Sequence, residues 1–227
     1  MNEPVILFED PYLTVCCKPA GWLSEDSDSP RSLPRWLREH YHALGQNDHI
    51  DVVHRLDQVT GGIIVFSRRA ATTGRLTAAV TQDRIAKEYL AVLTGHIEPA
   101  AGDLTDLLFR DARKNKSYVV KRMRKGVREA RLSYQTVDTA DALSLVRVQL
   151  HTGRTHQIRV QFASRQLPLL GDTRYGSRDE RCSAALWACH LVFPHPVSRK
   201  PVEICLPPPD QYPWNLFSAQ QAPQTAL

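Results

Sequence analysis

The sequence predicts an α+β fold built around a mixed, largely antiparallel sheet with flanking helices. Two observations indicate this class. Short apolar runs rich in β-branched residues outnumber segments with helical spacing, and no internal repeat or low-complexity linker divides the 227 residues. A chain of this length can bury one substantial core. We therefore predict one domain over residues 1–210, followed by a partly flexible C-terminal tail over residues 211–227.

Seven segments have the length and composition of strands. Leu143–Leu150 alternates apolar and polar residues over part of its length, which is typical of a strand with one buried face. The other predicted strands are Val5–Phe8, Leu13–Cys17, Ile63–Phe66, Tyr89–Leu93, Leu132–Val137 and Leu186–Phe193.

Three segments have the apolar spacing of helices. In the first, Leu33, Trp36, Leu37 and Tyr41 recur at helical intervals, and Ser32 is a candidate N-cap. The other two predicted helices are Ala70–Val80 and Thr155–Arg165.

Cysteine usage and hydropathy predict a soluble, cytoplasmic protein. The five cysteines are odd in number and contain no CxxC pair, which disfavours a disulfide framework or a zinc site and favours reduced thiols. The N-terminus lacks the pattern of a secretory signal, and no stretch approaches the roughly 18 apolar residues of a membrane helix.

Positive charge is concentrated in one segment. Lys and Arg exceed Asp and Glu by 29 to 24, yet Arg110–Arg131 alone holds ten basic and two acidic residues, so the rest of the chain has 19 against 22. A short apolar centre at Tyr118–Val120 and a turn candidate at Lys125-Gly126 predict a hairpin rather than a long helix. The segment is either a surface arm that binds a polyanion or a solvated charged loop without a partner.

The segment His54–Gly62, with the sequence HRLDQVTGG, is the strongest candidate for chemistry. It places Arg55 and Asp57 two residues apart, just before a Gly-Gly pair and a buried strand. A carboxylate beside an Arg at a strand edge can stay ionised and act as a nucleophile. The alternative is that Asp57 caps a turn through the N–H of residue 59 or 60.

Four separated segments resemble, in order, the signatures of the RluA-type pseudouridine synthases. They are KPAG at Lys18–Gly21, HRLDQVTGG at His54–Gly62, KEYLA at Lys87–Ala91, and HTGRTHQIRVQF at His151–Phe162, which LGDTRYG at Leu170–Gly176 follows. Two positions depart from the family pattern: Gly61 stands where Ser is usual, and Trp187 where His is usual. These departures leave the substrate preference open rather than the reaction type.

The resemblance implies the pseudouridine synthase fold with an active-site cleft, and the isomerisation of uridine to pseudouridine in rRNA or tRNA without a cofactor or metal. It implies a monomer that binds RNA and no membrane. No N-terminal RNA-binding module of the S4 type is expected before Val5, so the core would hold the RNA largely by itself.

The resemblance also implies the catalytic roles. Asp57 would be the nucleophile or charge stabiliser, and Arg159 would pair with it. Tyr89 would stack on the flipped uracil and could relay a proton. The alternatives are a structural or phosphate-binding Arg159 and an ordinary core tyrosine at position 89.

Contacts with RNA are expected from three places. Arg55 would fill the gap left by the flipped nucleotide or contact a phosphate. A predicted helix start would bind phosphates through Arg154, Thr155 and His156. The basic segment would contribute Lys121, Arg122, Arg124 and Lys125.

Competing functions have weaker support in the sequence. A non-catalytic RNA-binding or ribosome-assembly protein has no need for a buried carboxylate such as Asp57. A metal-dependent nuclease or phosphatase would need clustered acids, and no acid completes a metal site with His54, His151 and His156.

Overall fold

The computed structural model describes residues 3–82 and 84–218. In chain order the strands and helices are β1 (Val5–Glu9), β2 (Leu13–Lys18), α1 (Leu33–Ala43), β3 (Asp51–Val52), β4 (Gly61–Ser67), α2 (Ala70–Thr81), β5 (Ala86–Thr94), β6 (Ala101–Asp111), β7 (Lys116–Val120), β8 (Val127–Ala140), β9 (Leu143–Leu150), α3 (Gln157–Ala163), β10 (Leu186–Pro194) and β11 (Pro201–Cys205). Short 3₁₀ helices lie at Thr173–Tyr175 and Trp214–Leu216. All seven predicted strands and all three predicted helices are confirmed.

Two details of the predicted helices need correction. The third helix, predicted over Thr155–Arg165, spans only Gln157–Ala163: the left-handed His156, with φ 56°, directly precedes it, and Gln166, with φ 64°, lies three residues beyond its end. Ser32 does hold the N-cap position of α1, but its hydroxyl donates to the carbonyl of Glu25 and makes no cap bond.

The described chain is organised as two compact units. The first comprises the residues up to Lys87 together with Ala188–Leu206, and the second comprises Glu88–Trp187 and the residues from Pro207 onwards. Residues 1–210, which the sequence predicts as one domain, are thus divided between the two units.

In the first unit, β2 pairs with both β1 and β4, and β3 also pairs with β4, always antiparallel. β10 and β11 form an antiparallel ladder. Every residue of β4 is buried, as expected for a strand that is covered on both faces. Two of its apolar side chains belong to a core formed by Leu13, Val15, Val53, Ile63, Val65, Leu76, Ala79, Ile85, Leu191 and Phe193.

In the second unit, five antiparallel strands follow the order β5-β9-β8-β6-β7. α3 presents Val160 to Leu108 of β6 and Ala130 of β8, with Val119 and Tyr175 packed at the edge of this cluster. The basic segment contributes the end of β6, all of β7 and the start of β8. It contains a hairpin, as predicted, but the hairpin joins β6 to β7 through residues 112–115. The turn predicted at Lys125-Gly126 lies instead in the loop from β7 to β8, and these two strands flank β6. That loop ends at Gly126, whose φ of 84° favours glycine.

The described part of the C-terminal tail packs on the second unit. Trp214 and Phe217 are buried, and the Tyr212 hydroxyl donates to Asp179 at 2.7 Å. The remainder of the predicted flexible tail, residues 219–227, lies outside the described residues. Within the described part of the chain, no helix is long and apolar enough to cross a membrane. None of the five cysteines, all of which lie within the described residues, forms a disulfide.

Candidate active site

Asp57 lies in the loop that joins β3 to β4, and this loop is held on both sides of it. On the N-terminal side, the Ser24 hydroxyl donates to the carbonyl of Leu56 at 2.9 Å and accepts the N–H of Leu56 at 3.1 Å. Ser24 and Leu56 are both buried. The main chain directly before Asp57 is therefore fixed by a side chain thirty-two residues away.

On the C-terminal side, the KPAG turn holds the carbonyl of Gln58. The N–H of Gly21 donates to this oxygen at 2.7 Å, and the ammonium of Lys18 donates to it at 3.2 Å. Lys18 is fully buried and also donates to the carbonyls of Trp22, at 2.7 Å, and Pro19, at 3.3 Å. Burial lowers the pKa of Lys18 to about 7, while the nearby Asp57 carboxylate acts in the opposite direction.

The half-buried Asp57 also closes the turn that follows it, through its main chain. Its carbonyl accepts the N–H of Thr60 at 3.0 Å. The N–H of residue 60, one of the two donors named in the turn-capping alternative, is thus bonded to the main-chain carbonyl of Asp57. The same alternative through the N–H of Val59 stays open.

His54 fixes the start of the loop to β4. The N–H of Val65 donates to Nε2 of His54 at 3.2 Å. Burial, with a smaller effect from the Lys87 charge, lowers the pKa of His54 to about 3. The imidazole is therefore neutral at physiological pH, which suits its role as an acceptor for a main-chain donor.

Gly62 cannot be replaced without moving the main chain. It has φ 111°, and a Cβ placed on it would lie 2.3 Å from the carbonyl oxygen of Ala188. The neighbouring Gly61 is buried in β4 and is not among the glycines with positive φ, so its backbone conformation does not explain the departure from Ser. Trp187, the second departure, is buried in β10.

Arg55 is exposed and forms a surface ion pair with Glu25. Such pairs contribute little to stability and can be exchanged for another anion at low cost. The predicted contact of Arg55 with RNA stays a prediction.

Tyr89 and Arg159, the other two predicted catalytic residues, belong to the second unit. Tyr89 is 7% exposed and lies on β5 opposite Val148 of β9. Arg159 is 3% exposed and lies on α3. The pairing of Arg159 with Asp57, and the stacking role of Tyr89, stay predictions.

The described partner of Arg159 is Asp172, a residue to which the sequence analysis gave no role. Nε of Arg159 donates to Oδ2 of Asp172 at 2.7 Å, and Nη2 donates to Oδ1 at 2.8 Å. This is a bidentate pair, and both side chains are almost completely buried. The signal for it was present in the LGDTRYG segment, where Asp172 is the only acid.

The predicted phosphate-binding group at residues 154–156 is engaged with protein. His156 is buried, and its Nδ1 lies 2.9 Å from the Tyr175 hydroxyl. The main-chain N–H of Arg154 donates to Oε1 of Gln157, and its Nε donates to the carbonyl of Glu129. The Thr155 carbonyl accepts the Ser117 hydroxyl at 2.6 Å. Phosphate binding by Arg154, Thr155 and His156 stays a prediction.

The basic arm, defined as Arg110–Arg131, exposes its cations in the loop between β7 and β8. Lys121, Arg122, Arg124 and Lys125 are all exposed there, and the guanidinium of Arg124 lies 5.1 Å from the centre of the Phe109 ring. Met123, between them, is 62% exposed. This loop is the part of the arm best suited to contact a polyanion.

One group of potential metal ligands converges within the described residues. His190, Glu203 and Cys205 place their donor atoms within 4.8 Å of one another on the β10–β11 ladder. The group includes none of His54, His151 and His156. Nε2 of His151 lies 2.6 Å from the Ser133 hydroxyl instead.

Comparison with known protein sequences identifies the relatives of this chain. Residues 12–164 match the model of a family described as RNA pseudouridylate synthase. The chain is 31% identical over 203 residues to an uncharacterized RNA pseudouridine synthase of Bacillus subtilis, which covers 87% of this chain and 66% of that protein. It is 30% identical over 222 residues to ribosomal large subunit pseudouridine synthase D of Vibrio cholerae, covering 90% and 67%. It thus spans about two thirds of the length of these two relatives.

A shorter relative is covered almost completely. The chain is 27% identical over 224 residues to tRNA pseudouridine synthase C of Pasteurella multocida, covering 88% of this chain and 89% of that protein. Among solved structures, human RNA pseudouridylate synthase domain containing 1 superposes with a TM-score of 0.80 at 22% identity, covering 99% of this chain and 91% of that one. Human RNA pseudouridylate synthase domain containing 4 gives 0.75 at 20% identity, covering 90% and 88%.

Proposed function

The chain belongs to the RNA pseudouridylate synthase family, and from that premise we propose that it isomerises specific uridines of structured RNA to pseudouridine. Membership confirms the resemblance seen in the four motifs and the isomerase class that it implies. The solved relatives confirm the α+β pseudouridine synthase fold.

The observation that carries the proposal is the construction around Asp57. Its two chain neighbours are held by hydrogen bonds from Ser24, Gly21 and a buried Lys18. Such bonds keep a side chain within the small tolerance that covalent chemistry requires. A merely structural surface aspartate has no need for this support.

The reaction assigns Asp57 its role. Isomerisation breaks the bond between C1′ and N1, forms a bond between C1′ and C5 of the same uracil, and replaces the proton lost from C5 by one gained at N1. An ionised carboxylate can attack the sugar or the base, or it can stabilise the charge that develops when the glycosidic bond breaks. We assign Asp57 to this task and leave these three routes open.

Arg159 and Tyr89 are proposed to complete the catalytic set. Both occupy the family's motif positions, in HQIR and KEYLA, and both are buried on regular elements of the second unit. A guanidinium supports an ionised carboxylate, and a phenol ring offers a flat surface for a flipped base. No cofactor or metal enters this assignment.

The basic arm is proposed to hold the RNA. Its net excess of eight positive charges and its four exposed cations at residues 121, 122, 124 and 125 suit a phosphate backbone. Arg55 is proposed to exchange Glu25 for the nucleic acid when RNA binds. Contacts from Arg154, Thr155 and His156 would follow local rearrangement of their present bonds.

The substrate is proposed to be rRNA or tRNA, because relatives named for both kinds of RNA match this chain at similar identity. We further propose that the protein acts as a monomer in the cytoplasm. Neither proposal selects one uridine.

The test is direct detection of the product. Purified protein is incubated with transcribed rRNA and tRNA, and pseudouridine is mapped by reverse-transcription stops that depend on carbodiimide modification. We expect new stops that persist in EDTA with an RNA whose fold does not require divalent ions. The absence of stops in every RNA tried, together with their absence from a comparison of cells with and without the protein, would contradict the proposed function.

A further inference from the structure

Asp172 stands at the start of a tightly constrained turn. The preceding Gly171 has φ 77°, and a Cβ placed on it would lie 2.5 Å from the carbonyl oxygens of Cys182 and Ser183. The carbonyl of Asp172 accepts the N–H groups of Tyr175 and Ser177, each at 3.0 Å. The turn therefore fixes the main chain of Asp172 on both sides.

The Asp172 carboxylate holds one edge of the Arg159 guanidinium. Its two oxygens bind Nε and Nη2, at 2.7 and 2.8 Å, so the plane of the guanidinium and its rotation about the side chain are both set. Nη1 consequently points away from Asp172. The exposed fractions of the two side chains are 4% and 1%, so solvent does not compete for these bonds.

Tyr175 supports the same guanidinium from a second direction. The ring centre lies 5.1 Å from Cζ of Arg159. Its hydroxyl is bound to Nδ1 of His156, at 2.9 Å, and accepts the N–H of Ser117 on β7, at 2.8 Å. The turn from Asp172 to Tyr175 thus supplies both a carboxylate and an aromatic wall to Arg159.

We propose that Asp172 is a positioning residue for the reaction, acting on the RNA only through the orientation that it gives to Arg159. This inference rests on the proposed function, because it assumes that Arg159 takes part in catalysis. It adds a requirement that the four motifs did not state: the LGDTRYG turn serves the chemical step rather than the binding of RNA.

The proposal predicts different effects on the affinity for RNA and on the single-turnover rate. Asp172 is 2% exposed, so it offers RNA almost no surface, and its loss should leave the affinity for RNA within about threefold. In Asp172→Asn one carboxylate oxygen becomes an amide that repels an N–H of Arg159. We expect the single-turnover rate at saturating RNA to fall at least tenfold, with a smaller loss in Asp172→Glu, which retains the charge.

A second arginine–aspartate pair near α3 provides the matched control. Arg165, two residues after α3, donates from Nη1 to Oδ2 of Asp106 on β6 at 2.9 Å, and Gln161 donates to the same oxygen at 2.8 Å. Asp106→Asn removes a comparable charge from a partner of the same helix region. It should change the single-turnover rate less than twofold.

The experiment measures three quantities on the full chain: single-turnover rate, RNA affinity by filter binding, and the ¹⁵N resonance of the Arg159 Nε–H, assigned by its loss in Arg159→Lys. We expect this resonance to exchange slowly in wild type and in Asp106→Asn and to broaden or shift in Asp172→Asn. If Asp172→Asn does not fold, Asp172→Glu is used for all three measurements.

The outcomes distinguish the two proposals. An unchanged rate in a folded Asp172 variant, or equal losses in the Asp172 and Asp106 variants, would overturn the positioning role. An inactive wild type would overturn the proposed function instead, and the resonance would still show whether Asp172 holds Arg159.

Discussion

The ammonium of Lys18 and the carbonyl oxygen of Gln58 are 3.2 Å apart, although forty residues separate them in the chain. This bond joins the KPAG turn to the loop that carries Asp57. Two motifs that the sequence analysis treated as separate signatures are therefore one local structure. Lys18 reaches no solvent, so its role is to hold the main chain rather than to meet a substrate from outside.

Replacing Lys18 with Met should change how stability depends on pH. The folded-state pKa of Lys18, about 7, is below its unfolded value, so between about pH 7 and pH 10 the unfolded chain binds more protons at this position. The free energy of unfolding that Lys18 contributes must then rise with pH. We expect the difference between wild type and Lys18→Met to rise by up to about 1.4 kcal/mol per pH unit over that range. Denaturant titrations at several pH values measure it, and a flat difference would contradict the burial of the amine.

Two glycines offer a paired test of the main chain near the candidate site. Gly62→Ala should lower the free energy of unfolding by more than about 2 kcal/mol, because it combines a positive φ with a collision against the Ala188 carbonyl. Gly74 lies inside α2 with no atom within 4 Å of an added Cβ, so Gly74→Ala should raise it by about 0.4–1 kcal/mol. Chemical denaturation of both variants measures the two free energies of unfolding. Equal effects would argue against the close approach of Gly62 to the Ala188 carbonyl.

Replacing Arg159 with Met tests the buried ion pair between Arg159 and Asp172. It leaves Asp172 as a buried carboxylate without its bidentate partner, so we expect a loss of about 3–5 kcal/mol in stability and of several orders of magnitude in turnover. Both are measured at a temperature where the variant is folded. A variant as stable as wild type would show that the pair contributes nothing to folding.

Local patterns predicted much of the fold. The strand Leu143–Leu150 was predicted with its observed bounds, because its alternation reflects one buried face. β11 was missed, because PVEIC is short, begins with Pro and keeps Pro201, Glu203 and Cys205 exposed. The start of α3 could not be read from apolar spacing, since it is set by the left-handed conformation of His156.

The sequence indicated candidate residues, whose catalytic roles stay predictions, but it did not indicate the partners of these residues. Asp57, Tyr89 and Arg159 stand out because motifs surround them, whereas Asp172 lies thirteen residues beyond Arg159, across the end of a helix and a turn. No periodicity relates two such positions. The hydrogen bond between Lys18 and Gln58 could not be predicted for the same reason, because long-range contacts are determined by the tertiary fold and not by local spacing.

The basic arm should contribute to RNA affinity and little to the chemical step. Replacing Lys121, Arg122, Arg124 and Lys125 with Ala should raise KM and reduce the salt dependence of binding by about 0.7–0.9 log units per log unit of salt for each lost contact. Turnover at saturating RNA should barely change. The control replaces each Lys with Arg and each Arg with Lys at the same four positions. It preserves the charge and should therefore preserve the salt dependence of binding. An unchanged slope in the alanine variant would mean that RNA binds elsewhere.

The central claim, that this chain makes pseudouridine through Asp57, is tested most directly by comparing Asp57→Asn with wild type in a single-turnover isomerisation assay on the mapped RNA. The account predicts that the variant forms no detectable pseudouridine while its RNA affinity stays within about tenfold of wild type, since the lost group acts in the chemical step. Residual turnover above about one per cent of the wild-type rate would contradict the role of Asp57 as the essential residue.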